Sequence, residues 1–200
     1  MARTGRRRGP STTRGAILDV ARRRFAEAGY GATSLRGIAA EVGVDPAVVV
    51  HFFGSKEGLF QAAVGWPFDP AAVAVRVAGP GAAGIGERIA RTFLELWEEP
   101  ATRASLLALL RSAMTHEASA TLLREFVVHQ LFARVSGLLA DPQASLRVDL
   151  AAGHLVGVAL LRYTLRVEPI ASASTDELVA WMTPALDHYL DPGKTTSPAG

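Results

Sequence analysis

Residues 33–60 read TSLRGIAAEVGVDPAVVVHFFGSKEGLF, and this stretch decides the fold of the N-terminal region. Its first half carries apolar residues at helical spacing as far as Val42, and Thr33 or Ser34 stands where the N-cap of such a helix belongs. Gly43 follows, and glycine adopts the backbone angles of a tight turn without a steric penalty. The pattern predicts a short helix that ends in a sharp turn.

A second short helix is indicated directly after this turn. Asp45 suits the N-cap, Pro46 suits the first helical position, and Gly54 is a suitable terminator after Phe53. Ser55 can then cap a third helix. Two short helices joined by a tight glycine turn form a helix-turn-helix, whose second helix can enter the major groove of DNA. The stretch therefore predicts a DNA-binding motif.

The residues that frame this motif resemble the DNA-binding domain of the TetR (tetracycline-repressor-like) family of bacterial transcriptional regulators. The resemblance extends over about the first quarter to third of the chain. It is carried by Ile17, Leu18, Ala21, Phe25, Gly29, Tyr30, Ala32, Thr33, Ser34, Ile38, Ala39, Gly43, Val44, Phe53, Ser55, Lys56, Glu57 and Leu59. It implies an N-terminal three-helix DNA-binding domain followed by a larger C-terminal helical domain that binds an effector and dimerises.

The rest of the chain is predicted to be helical, because it contains no convincing strand pattern and its apolar residues recur at helical spacing. The fold class is therefore all-α. A first helix is predicted over residues 13–28, and later helices over 71–77, 85–99, 102–116, 118–139, 146–166 and 175–189. We expect a disordered basic arm (1–12), a helix-turn-helix domain (13–66), a helical effector-binding and dimerisation domain (67–190) and a disordered tail (191–200).

Charge is unevenly distributed along the chain. Residues 1–60 hold ten Lys/Arg against five Asp/Glu, a balance of +5, whereas residues 61–200 hold eleven against fourteen, a balance of −3. The positive excess thus lies in the region of the motif, where it would attract phosphates. The basic arm contributes Arg3, Arg6, Arg7 and Arg8, with Arg14 just beyond it. Such an arm either only solubilises the protein or follows the DNA backbone or minor groove.

Composition gives no sign of secretion or membrane insertion. The chain has no cysteine, which excludes disulfides and thiolate metal sites, and its arginine-rich start lacks the apolar stretch of a signal peptide. The most apolar window, residues 150–161, is too short to span a bilayer and contains His154. We therefore expect a cytoplasmic protein without a membrane partner.

The outward face of the second motif helix is poor in charge. Pro46, Ala47, Val50 and His51 share this face, which lacks the Arg or Lys that reads guanine in two hydrogen bonds. Ala47 and Val50 can contact thymine methyl groups, and His51 can donate to a base or a phosphate. Many relatives carry Gly and Tyr at the positions of Ala47 and Val50, so the operator sequence does not follow from the resemblance.

Charged contacts with DNA are expected from neighbouring helices. Arg36 is the best candidate for a base or phosphate contact, and Lys56 for a second phosphate contact. Thr33 and Ser34, at the N-terminus of the first motif helix, form a site for one phosphate. Together with Asp45, which caps the second helix, these residues complete the predicted DNA-binding set.

The last two long helices are the candidates for a dimer interface. The resemblance implies that they pair with their copies in a four-helix bundle, which would present two recognition helices to a palindromic operator. The alternative is burial within one subunit. The residues predicted for the interface are His154, Gly157, Val158, Leu161, Leu165, Trp181 and Leu186.

The resemblance also implies a pocket for a small-molecule effector among the central helices. The apolar bias of the candidate residues suggests a hydrophobic effector, although each of them taken alone fits a role in the core or on the surface better than a ligand contact. The predicted effector-binding residues are Phe93, Trp97, Arg111, Met114, Phe126 and His129.

No catalytic or metal-binding motif is complete. His116 and Glu117 begin a zinc-protease motif, but Ala120 occupies the position of its second histidine. Residues 193–195 resemble the end of a phosphate-binding loop, but His188 occupies the position of its first glycine. We therefore expect no catalytic residue, metal or cofactor.

The sequence thus favours a dimeric, ligand-responsive transcriptional regulator, and the resemblance implies a repressor, although the residues themselves do not distinguish a repressor from an activator. Two alternatives stay open. The first is a DNA-binding regulator without a small-molecule ligand, and the second is a helical small-molecule-binding or interaction protein that does not bind DNA.

Overall fold

The computed structural model describes residues 10–79, 84–137, 139 and 141–190. Within these ranges the regular structure is entirely helical, as the sequence predicts. Eleven α-helices are α1 Pro10–Ala32, α2 Leu35–Val42, α3 Pro46–Phe53, α4 Lys56–Val64, α5 Pro70–Ala78, α6 Ile85–Glu98, α7 Pro100–Thr115, α8 Glu117–Phe126, α9 Ala133–Ser136, α10 Ala144–Ala159 and α11 Thr175–Leu190. Two π-helical turns, Val127–Phe132 and Leu160–Leu165, continue α8 and α10.

The chain divides into two compact units whose members are not contiguous in sequence. Of the described residues, the first unit contains those up to Pro67 together with Ser105–Phe126, and the second contains those between Phe68 and Ala104 and those from Val127 onward. The distant segment of the first unit, Ser105–Phe126, comprises most of α7 and all of α8. The DNA-binding motif is therefore packed against helices that lie far away in the sequence.

The first helix begins earlier than predicted and is interrupted by Gly29, directly after its predicted last residue. α1 begins at Pro10, so the last three residues of the predicted arm are helical; residues 1–9 lie outside the described part. At the other end the helix is interrupted at Gly29, whose φ of 76° and ψ of 170° are not helical, and continues to Ala32. Proline suits the first turn of a helix, and glycine adopts a positive φ without strain.

The three motif helices begin and end at the residues that their local chemistry predicts. The side chain of Ser34 accepts a hydrogen bond from the Gly37 amide and caps α2, and Asp45 caps α3 through the Ala47 amide. Between them Gly43 has a φ of 79° and donates its amide to the last carbonyls of α2. These short-range bonds satisfy helix-end groups that would otherwise lack partners, so the turn has a defined shape.

Aromatic packing forms the core of the first unit. Phe25 of α1, Phe60 of α4 and Phe126 of α8 are fully buried, and the Phe60 ring centroid lies 4.5 Å from that of Phe25 and 5.4 Å from that of Phe126. Ile38 and Val49 bring α2 and α3 onto the same core. The recognition motif is thus fixed by apolar burial, and α8 supplies one side of its core.

In the second unit α6 and α11 are closely packed. A Cβ atom added to Gly86 would lie 2.8 Å from the Asp187 backbone nitrogen and 2.8 Å from the Thr183 carbonyl oxygen, so the two backbones touch here. The Gly86 amide also donates to Oδ1 of the buried Asp187 at 3.0 Å. The core around this crossing contains Leu94 and Leu186, both fully buried.

Two of the predicted helices are not regular throughout, and one predicted break is a helix start. Residues 118–139 were expected to form one helix, but a π-helical turn separates α8 from α9. The helix predicted over 146–166 likewise ends in a π-helical turn. Pro100, which lies between the predicted helices 85–99 and 102–116, is the first residue of α7, and this position tolerates a missing amide hydrogen.

Candidate nucleic-acid interface

One face of α3 is anchored in the core, and the other is open. Val49 is fully buried, whereas the side chain of Val50 is 45% exposed. Pro46, Ala47 and His51 are exposed with Val50, which is the face that the sequence predicts. The surface offers two small apolar groups and one imidazole, chemistry suited to thymine methyl groups and a single polar contact.

The two residues at the start of α2 have different surroundings. Ser34 is exposed, and its hydroxyl accepts a hydrogen bond from the Gly37 amide at 3.1 Å. Thr33 is only 3% exposed, and its hydroxyl donates toward the Gly29 carbonyl oxygen at 2.8 Å. The prediction that both side chains contact phosphate is therefore corrected for Thr33, because its hydroxyl is held inside the unit by the end of α1.

Arg36 and Lys56, the two cations predicted to contact DNA, differ in their contacts within the unit. Arg36 is exposed and makes no hydrogen bond or ion pair with any residue in the described ranges. The Lys56 ammonium lies 4.3 Å from the centroid of the Tyr30 ring and donates to the Gly31 carbonyl oxygen at 3.3 Å. Cation–π attraction thus holds Lys56 in place while its other protons stay available for an anion.

Tyr30 also fixes the carboxylate next to Lys56. Its hydroxyl donates to Glu57 at 2.7 Å. This hydrogen bond, followed by bonds from the Glu57 backbone and the Ser55 hydroxyl, lowers the pKa of Glu57. The Tyr30 side chain therefore holds both charged residues at the start of α4, Lys56 and Glu57.

The arginines of α1 are mainly engaged in contacts within the unit. Arg23 and Arg24 form ion pairs with Glu41 of α2, and the Arg22 Nε donates to the Ala63 carbonyl oxygen at 2.9 Å. Arg14 is different, since its guanidinium lies 5.1 Å from the ring centroid of Phe53 at the end of α3. Sequence patterns do not indicate this contact, because Arg14 and Phe53 are distant in the chain.

Comparison with known families agrees with this geometry. Residues 17–63 match the family described as "Bacterial regulatory proteins, tetR family", and residues 83–190 match "Tetracyclin repressor-like, C-terminal domain". A TetR-family regulator from Streptomyces coelicolor A3 is 35% identical over 94% of this chain and 99% of that chain, with a TM-score of 0.46. The chain belongs to the TetR family. It is a DNA-binding transcriptional regulator and not an enzyme.

Other solved structures are similar to this chain at lower identity. Salmonella enterica GusR is 20% identical over 93% of this chain and 99% of that chain, with a TM-score of 0.47. A transcriptional regulator from Rhodococcus sp. Rha1 is 21% identical over 90% of this chain and 96% of that chain, with a TM-score of 0.45. Among curated protein sequences no match was found.

The six residues predicted to bind an effector of this TetR-family protein are divided between the two units. Arg111, Met114 and Phe126 belong to the first unit and Phe93, Trp97 and His129 to the second. Phe126 is fully buried in the aromatic core, and the Met114 side chain is 76% exposed. The prediction is corrected for Phe126, which fills the core beneath the DNA-binding motif. Arg111 and His129 are exposed.

The second unit contains a polar depression that the sequence did not indicate. Its volume is about 270 Å³, and its lining residues are Glu98, Arg103, Arg162, Tyr163, Arg166 and Ala171. Glu98 accepts hydrogen bonds from Arg162 (2.9 Å) and from the Tyr163 hydroxyl (3.0 Å). Burial, together with the bond to Glu98, raises the pKa of Tyr163 to about 12.

The predicted Trp97 lies beside this depression. Its ring stacks on that of Tyr163, with 5.5 Å between the ring centroids. The Phe93 ring also packs against Trp97, with 5.7 Å between the centroids. Trp97 is only 4% exposed. Trp97, expected to bind a hydrophobic effector, is therefore packed against Tyr163, which lines a charged depression together with three arginines and one carboxylate.

An apolar stripe is exposed on the predicted dimerisation helices. Leu161 is 39% exposed, Leu165 is 65% exposed, and Trp181 of α11 is 82% exposed. Leu146 and Leu150 extend the stripe along α10. His154, Gly157 and Val158 are partly buried. Leu186 is fully buried against α6 and is therefore corrected from an interface residue to a core residue.

The helix that carries most of this stripe is also long. Ala144–Leu165 is the single stretch in the described ranges that could cross a membrane by length and composition, and it extends beyond the apolar window of residues 150–161 on both sides. Val148 and Ala151 nevertheless pack in the core of the unit, and Arg162 is bound to Glu98. An apolar stripe on one side of a helix is suited to packing against another protein surface.

Proposed function

We propose that this TetR-family regulator is a dimeric repressor that binds a palindromic operator and releases it when a small-molecule effector binds. The observation that carries the DNA-binding part is the geometry of the first unit. The open, charge-poor face of α3 belongs to a unit in which the two helices packed against α3 carry cations, Arg36 on α2 and Lys56 at the start of α4, and Lys56 is held in place by Tyr30. In this arrangement the two cations contribute affinity through contacts with phosphates, and the exposed face of α3 determines which base pairs are preferred.

Operator binding is tested with duplex DNA from the region upstream of the protein's own gene, titrated at several salt concentrations. The double variant R36A/K56A is expected to bind at least about tenfold more weakly, with a salt dependence reduced by about two phosphate contacts. The matched control R124A/R134A removes the same charge from exposed arginines outside the motif and should bind like the wild type. Equal affinity of R36A/K56A and the wild type would contradict this mechanism.

The dimer is proposed from the exposed stripe of Leu161, Leu165 and Trp181. A two-fold dimer places two copies of α3 on two half-sites about one helical turn of DNA, or a multiple of it, apart. Footprinting on the bound duplex should therefore protect two related sequences with that spacing. Protection of a single half-site would favour a monomeric DNA-binding protein.

The effector is proposed to bind the second unit beside Trp97. The sequence favours a hydrophobic effector, and the partly exposed Phe93 packs against the buried Trp97, whose ring stacks on Tyr163 of the charged depression. A true effector should raise the melting temperature and weaken operator binding in the same concentration range, because it favours the state with lower DNA affinity. Compounds that do neither, over a hydrophobic library with and without carboxylate groups, would favour the alternative of a regulator without a small ligand.

A further inference from the structure

Helix α8 is an integral part of the DNA-binding unit, although it follows the motif by more than fifty residues in the sequence. Its residue Phe126 is fully buried, with its ring centroid 5.4 Å from that of Phe60 and 4.9 Å from that of Trp66. Leu122, one turn earlier, belongs to the same core. The face of α8 that carries these residues is thus fixed relative to α1 and α4.

The neighbouring residue, Glu125, contacts the place where α1 is interrupted. The Tyr30 amide donates to its Oε2 at 3.1 Å. A Cβ atom on Gly29 would lie 3.2 Å from the same oxygen, and the φ of Gly29 is +76°. Glycine is therefore favoured here both by the backbone conformation and by the close approach of the carboxylate.

Glu125 binds the segment that also contacts Lys56. We call residues 29–31 the α1 elbow. Its Gly31 carbonyl oxygen accepts a hydrogen bond from Lys56, and its Tyr30 ring lies under the Lys56 ammonium. Its Gly29 carbonyl oxygen accepts a hydrogen bond from the hydroxyl of Thr33, the residue before the N-cap of α2. A shift of the elbow would therefore move both the phosphate-binding lysine and the start of the helix-turn-helix.

We propose that Glu125 is a positioning residue for operator binding. Its carboxylate holds the α1 elbow through the Tyr30 amide, and the elbow in turn sets the position of Lys56. This inference rests on the proposed DNA-binding role of Lys56. By charge alone, removing a carboxylate from a DNA-binding unit should strengthen its attraction to phosphates and raise operator affinity. The positioning role predicts the opposite, a loss of operator affinity.

The test compares three full-length variants with the wild type on the same upstream duplex. In E125A the elbow loses its acceptor, and we expect operator affinity to fall about three- to tenfold despite the loss of a negative charge. In E125Q the charge is lost but an amide oxygen can still accept from Tyr30, so affinity should stay within about twofold of the wild type. In E117A the same charge is removed from an exposed site on the same helix, and affinity should be unchanged or slightly higher.

Hydrogen exchange of the Tyr30 amide provides a readout that does not depend on DNA. Exchange should become about tenfold faster in E125A, whereas E125Q and E117A should resemble the wild type. Wild-type affinity in a folded E125A, or unchanged exchange at Tyr30, would overturn the proposal. If the wild type itself fails to bind the duplex, the proposed function fails, while exchange at Tyr30 still decides whether Glu125 holds the elbow.

Discussion

Tyr30 joins three contacts that a smaller residue could not make together. Its ring centroid lies 4.9 Å from that of Phe60 in the core, its outer face lies against the Lys56 ammonium, and its hydroxyl donates to Glu57. A large aromatic ring with a polar end can bury one part and bind a charge with another. The residue therefore links the apolar core to the charged start of α4.

The hydroxyl can be removed without removing the ring, in the variant Y30F. Because the Tyr30 hydroxyl is the main cause of the lowered pKa of Glu57, that contribution to stability is present above the ordinary pKa of 4.5 and is lost as the pH falls through the lowered value. Y30F should therefore melt below the wild type at pH 7, and the difference should shrink on acidification below pH 4.5. Thermal melts across that range measure it, and a difference that grows toward low pH would contradict the assignment.

At the scale of helices, local chemistry predicts well where each helix begins and ends. The spacing of apolar residues alone does not show what the apolar face of a helix packs against. Ser34, Asp45 and Ser55 cap the helices that their positions predict, because each cap needs only its nearest neighbours. Leu186 and Phe126 were misassigned because an apolar residue at helical spacing can face its own core, a ligand or another subunit. Choosing among these requires contacts between residues far apart in the sequence.

The crossing of α6 and α11 yields a prediction at this scale. In G86A the added methyl group meets backbone atoms of Asp187 and Thr183 at 2.8 Å, which cannot move as a flexible side chain does. We expect a loss of unfolding free energy of about 1–3 kcal/mol, the usual cost of overpacking a core. Chemical denaturation measures it.

The matched control for this substitution is G15A in α1, where an added Cβ meets nothing within 4 Å. Alanine is the better helix former, so G15A should leave stability unchanged or raise it by up to about 1 kcal/mol. If both variants lost similar stability, the close approach at Gly86 would not be the cause.

At the scale of the whole molecule, the sequence predicted the helix-turn-helix region but not the composition of the unit that contains it. Composition and proline breaks are local signals, and they place a boundary near residue 66. They contain no information about the return of Ser105–Phe126 to the first unit. The polar depression was missed for the same reason, since Glu98 and Arg162 are 64 residues apart in the chain.

The exposed stripe on α10 and α11 leads to the prediction for the assembly. Trp181 is 82% exposed, and a side chain of this size contributes strongly when it is buried in an interface. In W181E a carboxylate would be buried at the proposed interface without a partner, so the protein should shift from dimer to monomer and lose operator affinity at low protein concentration. Light scattering after size exclusion, together with the DNA titration, measures both effects. The control V75E introduces the same charge at a 76% exposed valine on α5 and should remain dimeric. A dimeric W181E would show that the subunits associate through another surface.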